Sequence, residues 1–180
     1  MDAPAASPAY GAARERPDLL LPTAERGLRI VQLTDPADGA FSHIYMESHV
    51  LTPDGRFLVL RHAREAGPPP WGRGATYLLC DLEDGYRLRA VTDEDGATAP
   101  SISPDGRWMY YLVDRTEPGG GSWSVRRVEL ATRRRETLAT FDAPVDGAGG
   151  RRLSRLYPLT SISSDGGRLC GAGLPGDGAS

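Results

Sequence analysis

The sequence predicts an all-β fold assembled from repeated four-stranded antiparallel units, and three observations predict it. First, Leu51-Thr52-Pro53-Asp54-Gly55-Arg56-Phe57-Leu58-Val59 returns as Ile102-Ser103-Pro104-Asp105-Gly106-Arg107-Trp108-Met109-Tyr110, and in altered form as Ile162-Ser163-Ser164-Asp165-Gly166-Gly167-Arg168-Leu169. Second, the first two copies lead into runs of large apolar residues of the kind that strands favour. Third, Asp54, Asp105 and Asp165 recur about every fifty to sixty residues, the long end of the range for β-propeller blades. The chain therefore reads as a partial β-propeller.

Each repeat is a hairpin in miniature. Proline presets φ at the first corner of the turn, aspartate bonds local amides from the second, and glycine takes the left-handed position that follows. A type I turn with a glycine bulge joins two antiparallel strands. Ahead of the first turn, residues 27–34 are expected as the outer strand of a preceding blade, and residues 1–26 as a disordered or irregular segment. Blade one is expected over 41–92, with a third strand from Thr76 to Leu82 and a fourth from Tyr86 to Thr92. Blade two is expected over 97–141, with a third strand from Trp123 to Leu130 and a fourth from Glu136 to Phe141. Blade three starts at 155 and breaks off within 155–180, where Gly171 to Gly178 have a loop composition. Propellers close with about 4 to 8 four-stranded blades, so about three blades predict the front part of a longer protein. A complete open sheet would leave a bare edge, which invites aggregation.

Composition narrows the function classes. A net charge of −3 argues against a nucleic-acid binder, and no stretch is long enough to span a membrane. No apolar core of signal-peptide length precedes Leu19, so a cytoplasmic location is expected. All 21 basic residues are arginine, a bias that codon preference in a GC-rich genome explains along with the abundant Ala, Gly and Pro. The run Arg133-Arg134-Arg135 reads as a solvated cluster at a turn. Cys80 and Cys170 fall in different blades and read as small buried hydrophobes rather than a disulfide.

Ligands of propellers sit at the end where the inner strand of each blade begins and where the second strand finishes. Folding blade one about Pro53-Asp54 sets Tyr45 and Met46 opposite Arg61 and His62, with His43 just beyond. The candidate site is therefore His43, Tyr45, Arg61 and His62, with Arg64 and Trp71 on the adjoining loop Ala66 to Gly74. Strand capping by His43 and Tyr45, with Arg61 and His62 as solvated loop residues, is the competing reading. Equivalent loops carry Arg115 and Arg151, Arg152 and Arg155, a set of guanidinium groups suited to an anionic ligand.

A metal site is not expected from these residues. As extended chain, His43 and His49 stand roughly 20 Å apart, too far for one ion with ligands about 2 Å away. No Gly-x-Ser-x-Gly elbow appears. Gly119-Gly120-Gly121 joins two strands without opening a helix, and reads as a flexible hairpin loop.

From Arg29 to Phe141 the chain resembles the amino-terminal half of oligogalacturonate lyase-type propellers, a branch of the TolB-like repeats. The residues carrying the resemblance are Arg29-Ile30-Val31-Gln32-Leu33-Thr34, Ser42-His43-Ile44-Tyr45-Met46-Glu47-Ser48, and the Pro-Asp-Gly turns with Thr98 to Tyr111 around the second. The resemblance implies a seven-bladed ring, of which this chain supplies about three blades. It further implies β-elimination of short galacturonate oligomers, an anionic oligosaccharide partner, and Mn2+ in the complete family member. The family's metal-binding and catalytic residues lie in later blades, so His43 and Tyr45 carry over only as substrate-facing residues, and no metal ligand carries over. Two other readings stay open: a non-catalytic TolB-like propeller binding protein partners, and the amino-terminal propeller of a prolyl oligopeptidase-type hydrolase.

Overall fold

The computed structural model describes residues 10–44, 48–63, 75–118 and 120–176. Two four-stranded antiparallel sheets and a two-stranded hairpin follow one another along the chain. The first sheet has the order β3 (Ala40–Ser42), β4 (Phe57–Ala63), β5 (Ala75–Asp81), β6 (Arg87–Ala90). The second runs β7 (Ala97–Ile102), β8 (Trp108–Glu117), β9 (Gly120–Glu129), β10 (Arg135–Phe141), and the hairpin is β11 (Leu153–Ile162) with β12 (Leu169–Pro175). Ahead of these, β1 (Arg14–Glu15) pairs with β2 (Val31–Gln32).

The turn between the first two strands of each unit explains the repeat. In the first copy the Thr52 hydroxyl donates to Asp54 Oδ1 (2.5 Å), the same oxygen accepts the Arg56 N–H (3.0 Å), and Thr52 Oγ1 accepts the Phe57 N–H (2.9 Å). Ser103, Asp105, Arg107 and Trp108 repeat these bonds at 2.5, 3.0 and 2.9 Å. Ser163, Asp165, Gly167 and Arg168 repeat them again at 2.5, 2.9 and 2.9 Å. Gly55, Gly106 and Gly166 take φ of 75°, 70° and 70°, where a side chain is strained. Losing Pro in the third copy therefore costs the turn none of its hydrogen bonds.

A second repeated device closes the same end of each complete sheet. Arg56 reaches from the turn to Asp81 at the end of β5 (2.9 Å) and stacks over Phe57. Arg107 does the same to Glu129 at the end of β9 (2.8 Å) and stacks over Trp108. In the third turn Gly167 stands in the arginine's place.

Side-chain alternation lets the second sheet bury both faces. Met109, Tyr111 and Val113 of β8 pack against Val59, Tyr77, Leu79 and Val91 of the first sheet. Leu112, between them in sequence, packs with Ala99 against Leu156 of the hairpin, and Trp123, Val125, Leu153 and Leu169 close around that contact. Two polar links join the inner strands across these interfaces. The Ile102 N–H donates to His49 O (2.7 Å), and the Thr160 hydroxyl donates to Ala99 O (2.7 Å) beside Ser101 Oγ, which donates to Thr160 O (2.7 Å).

Several expectations change in detail. The outer strand expected over 27–34 is shortened to Val31–Gln32, and its partner Arg14–Glu15 comes from the stretch expected to be irregular. Residues 171–175, expected as loop, complete β12, because Gly171 and Gly173 fit close against the neighbouring strand. Gly120 and Gly121 likewise belong to β9, and a Cβ on Gly121 would lie 2.4 Å from Arg115 O; Gly119 lies outside the described residues. Both thiols are free, but only Cys80 is buried, with burial pushing its pKa up to about 11, while Cys170 is exposed. Arg135 is no solvated charge: it donates to Val91 O (3.1 Å) and pairs with Asp93, tying the two sheets together.

Two stability tests follow. The carboxyls of Asp54, Asp105 and Asp165 titrate below the usual aspartate range because hydroxyl and backbone donors favour the charged form. A depressed folded pKa contributes stability above the unfolded value of about 4, which is lost as pH falls through the folded value. Urea midpoints should therefore fall on acidification below about pH 4, and fall less in Asp105→Ala, which should itself cost about 1 kcal/mol at neutral pH; an unchanged acid limb in that variant would remove the turn carboxylate as the cause. Thr160→Val keeps shape but strands the buried Ala99 carbonyl, and should cost about 1 to 3 kcal/mol. The exposed control Ser161→Ala should stay within about 0.5 kcal/mol, and equal losses in both variants would count against the clasp.

Candidate functional site

Strand direction gathers one set of chain segments at the end opposite the Asp-Gly turns. There β3, β7 and β11 begin, β4, β8 and β12 end, β5 and β9 start, and the connections over 91–96 and 142–152 cross between units. Arg61 near the end of β4, Arg115 near the end of β8, and Arg151, Arg152 and Arg155 around the start of β11 all belong to this end.

The inner strand of the first sheet does not pair as simple folding about Pro53-Asp54 predicts. Ser42 faces Arg61 and Phe41 faces His62. Closer to the turn, Leu51 faces Leu58 and the Val59 N–H bonds to Val50 O. On β4 only Leu60 lies between the partners of Ser42 and Val50, so pairing does not continue residue for residue between them, which a two-residue alternation cannot reveal. Of the described residues there, His43 and His49 are exposed, while Ile44 and Ser48 are buried. Tyr45 and Met46 lie outside the described residues, as do Arg64, Trp71 and the Pro-rich loop.

The four candidates separate accordingly. His43 follows Ser42, the partner of Arg61, so these two candidates lie at the same end of the inner strand, with no contact between them. His62 goes elsewhere: it is only 7 % exposed, stacks on Phe41 at 4.6 Å, meets the edge of Tyr10 at 5.4 Å, and shares a hydrogen bond of 2.9 Å between Nε2 and Asp38 O. Strand parity is the reason, since neighbours in a strand point to opposite faces. His62 is therefore part of the packing, not a solvated loop residue. Gly39 makes room for it, because a Cβ there would fall 2.8 Å from Nε2.

The electrostatics of this end are uneven. Arg61, Arg115, Arg151, Arg152 and Arg155 have no carboxylate partner among the described residues, whereas Arg56, Arg107, Arg126, Arg127 and Arg135 are all tied to acids. One acid of this end, Glu94, is engaged within the fold: it accepts the Tyr111 hydroxyl (2.7 Å) and Arg126 Nη1 (2.9 Å). Burial works against that carboxylate, but the Tyr111 hydroxyl, backbone N–H donors and the charge on Arg135 outweigh it and hold its pKa low, while the Tyr111 phenol is driven up by burial and by Glu94. Burial likewise pushes the Tyr77 phenol up to about 12 against the pull of nearby Arg61. Glu94 gave no signal in the sequence beyond lying in an acidic connection.

Among the described residues no three His, Cys, Asp or Glu side chains cluster as metal ligands. What the described part of this end presents is a set of guanidinium groups, which suit recognition of negative charge.

No protein-family model matches the chain, and no curated protein matches it. Solved structures do. An oligogalacturonate lyase from Vibrio parahaemolyticus superposes with a TM-score of 0.55 at 20% identity, over 81% of this chain and 32% of its own. An oligogalacturonate lyase in complex with manganese gives a TM-score of 0.55 at 24% identity, over 79% of this chain and 32% of its own. TolB from Acinetobacter baumannii matches with a TM-score of 0.45 at 18% identity, over 81% and 40%. The chain thus spans about a third of the length of the lyases it matches, and over that span it has their β-propeller fold.

Proposed function

We propose that this chain is the amino-terminal part of an oligogalacturonate lyase-like propeller, about three blades of a seven-bladed ring, and that it contributes scaffold and a binding surface for short galacturonate oligomers. The observation that carries the reading is the set of arginines at one end of the blades that form no ion pair among the described residues. A uronate presents one carboxylate per sugar, and a guanidinium fork matches a carboxylate bidentately. The shared fold with two oligogalacturonate lyases supports the same ligand class.

In β-elimination a base takes the proton beside the carboxylate, the bond to the departing oxygen breaks, and a carbon–carbon double bond forms. Cations on the carboxylate favour this step by stabilising the charge that develops. Arg61 and Arg115 supply that kind of stabilisation, and exposed His43 offers a hydrogen bond to a sugar hydroxyl. Neither supplies the base. The reading assigns the base, and the manganese of the related lyase, to residues beyond the span matched here, so the chain by itself binds without cleaving.

Calorimetric titration with trigalacturonate tests this. The chain should bind it saturably, more weakly as salt rises, and release no unsaturated product. Arg61→Gln should weaken binding about tenfold or more, since a hydrogen bond to a charged group contributes about 1.5 to 3 kcal/mol. Equal affinity for a neutral oligosaccharide of the same length would sink the proposal.

A further inference from the structure

A groove of about 630 Å³ runs between the amino-terminal segment and the outer edge of the first sheet, a size within the usual range for ligand clefts. One wall is Tyr10 to Ala13, and the other is the turn and strand from Asp84 to Arg89, with Arg133 reaching in from the second sheet. The first wall is fixed at both ends. The Gly11 N–H donates to Asp38 Oδ2 (2.6 Å), Tyr10 lies edge-on to Phe41, and Arg14 pairs with Gln32. The segment therefore stands off β6 rather than covering it.

The other wall is a strand edge. β6 is the last strand of its sheet and pairs only with β5. The Val91 N–H bonds to Tyr77 O (2.9 Å), so by the alternation of an antiparallel ladder Arg89 and Arg87 turn their backbone groups toward β5, and Leu88 and Ala90 turn theirs outward. Such a row of outward N–H and C=O groups is a template for one more strand. The charge on the groove sets which strand. Arg87, Arg89 and Arg133 line it against one carboxylate, Asp84, which bridges Arg87 (3.2 Å) and Arg89 (3.7 Å). Arg133 has no acidic partner and is held at φ 62° by the β9–β10 turn.

We propose that this groove takes an extended acidic peptide from a protein partner, added as a fifth strand to β6. Backbone groups of Leu88 and Ala90 supply the ladder, and carboxylates on alternate residues meet the guanidinium groups. The arginines of this groove lie at the turn end of the blades, away from Arg61 and Arg115, and the site stands whether or not the proposed lyase reading does.

The probe is a fluorescein-labelled eight-residue peptide of alternating glutamate and valine, followed by anisotropy with the full chain. Saturable binding is expected. It should weaken about tenfold or more when every second peptide amide is N-methylated, when glutamine replaces glutamate, and in the double variant Arg89→Glu with Arg133→Glu, checked for folding by circular dichroism. Three results overturn the proposal: no binding, equal binding of the methylated peptide, or an unaffected double variant. Displacement by trigalacturonate would also overturn it by moving the peptide to the sugar site. So would displacement by a peptide of residues 1–9, or self-association of the chain that the double variant abolishes, since each names a different occupant of the groove.

Discussion

The hydroxyl–aspartate–glycine turn is the constraint on which the rest of this structure depends. One carboxylate oxygen takes both a hydroxyl proton and a backbone N–H, and the hydroxyl oxygen takes another backbone N–H across the hairpin. The turn is thereby closed by side chains before strand pairing extends it. A register pinned at this point decides which residues of the second strand face each neighbouring unit, because a slip of one residue would exchange the two faces. In β8 that choice puts Met109, Tyr111 and Val113 on one interface and Leu112 on the other.

Once register is fixed, the charges sort themselves by position. At the turn end the arginine after the first and second Asp-Gly is captured by an acid on the third strand, and the pair closes the sheet over an aromatic ring. Between the sheets, Asp93 and Glu94 are consumed by Arg135, Arg126 and Tyr111. At the opposite end Arg61, Arg115, Arg151, Arg152 and Arg155 form no ion pair among the described residues, although Asp114, Glu117, Asp142 and Asp146 belong to the same end. A net charge of −3 does not reveal this, because whole-chain charge says nothing about which cations are paired. An all-arginine complement that codon usage explains can still leave unpaired guanidinium groups where the fold gathers them.

The sequence makes the repeat legible because its cause is local. Thr52 to Phe57 hold each other, so the same residues at the same spacing predict the same turn, even in the third copy without proline. The third and fourth strands were legible as short segments following each hairpin and bounded by turn residues. The break in pairing between Ser42 and Val50 was not, since only their partners on β4 reveal it. Simple folding about the turn therefore puts His62 in the wrong environment: the sequence shows a histidine near a strand end, while the stack with Phe41 and Tyr10 depends on segments twenty and fifty residues away. Arg61 and His43 keep to the inner-strand end in either register. The β1–β2 pair was hidden because two-residue strands carry no periodicity.

The strand edges then differ in a way that bears on what they can do. In β12, Cys170, Gly171, Ala172 and Leu174 are exposed, a sequence of small residues with no charge to discriminate between partners. β6 is equally unpaired, but three arginines and a pinned amino-terminal segment surround it. An edge of the first kind accepts any strand that can reach it, and natural proteins guard against such edges by covering them. At an edge of the second kind a neutral or basic strand would leave guanidinium groups unmatched, and their desolvation opposes backbone pairing. Side-chain charge is thus what separates two edges with the same open backbone chemistry.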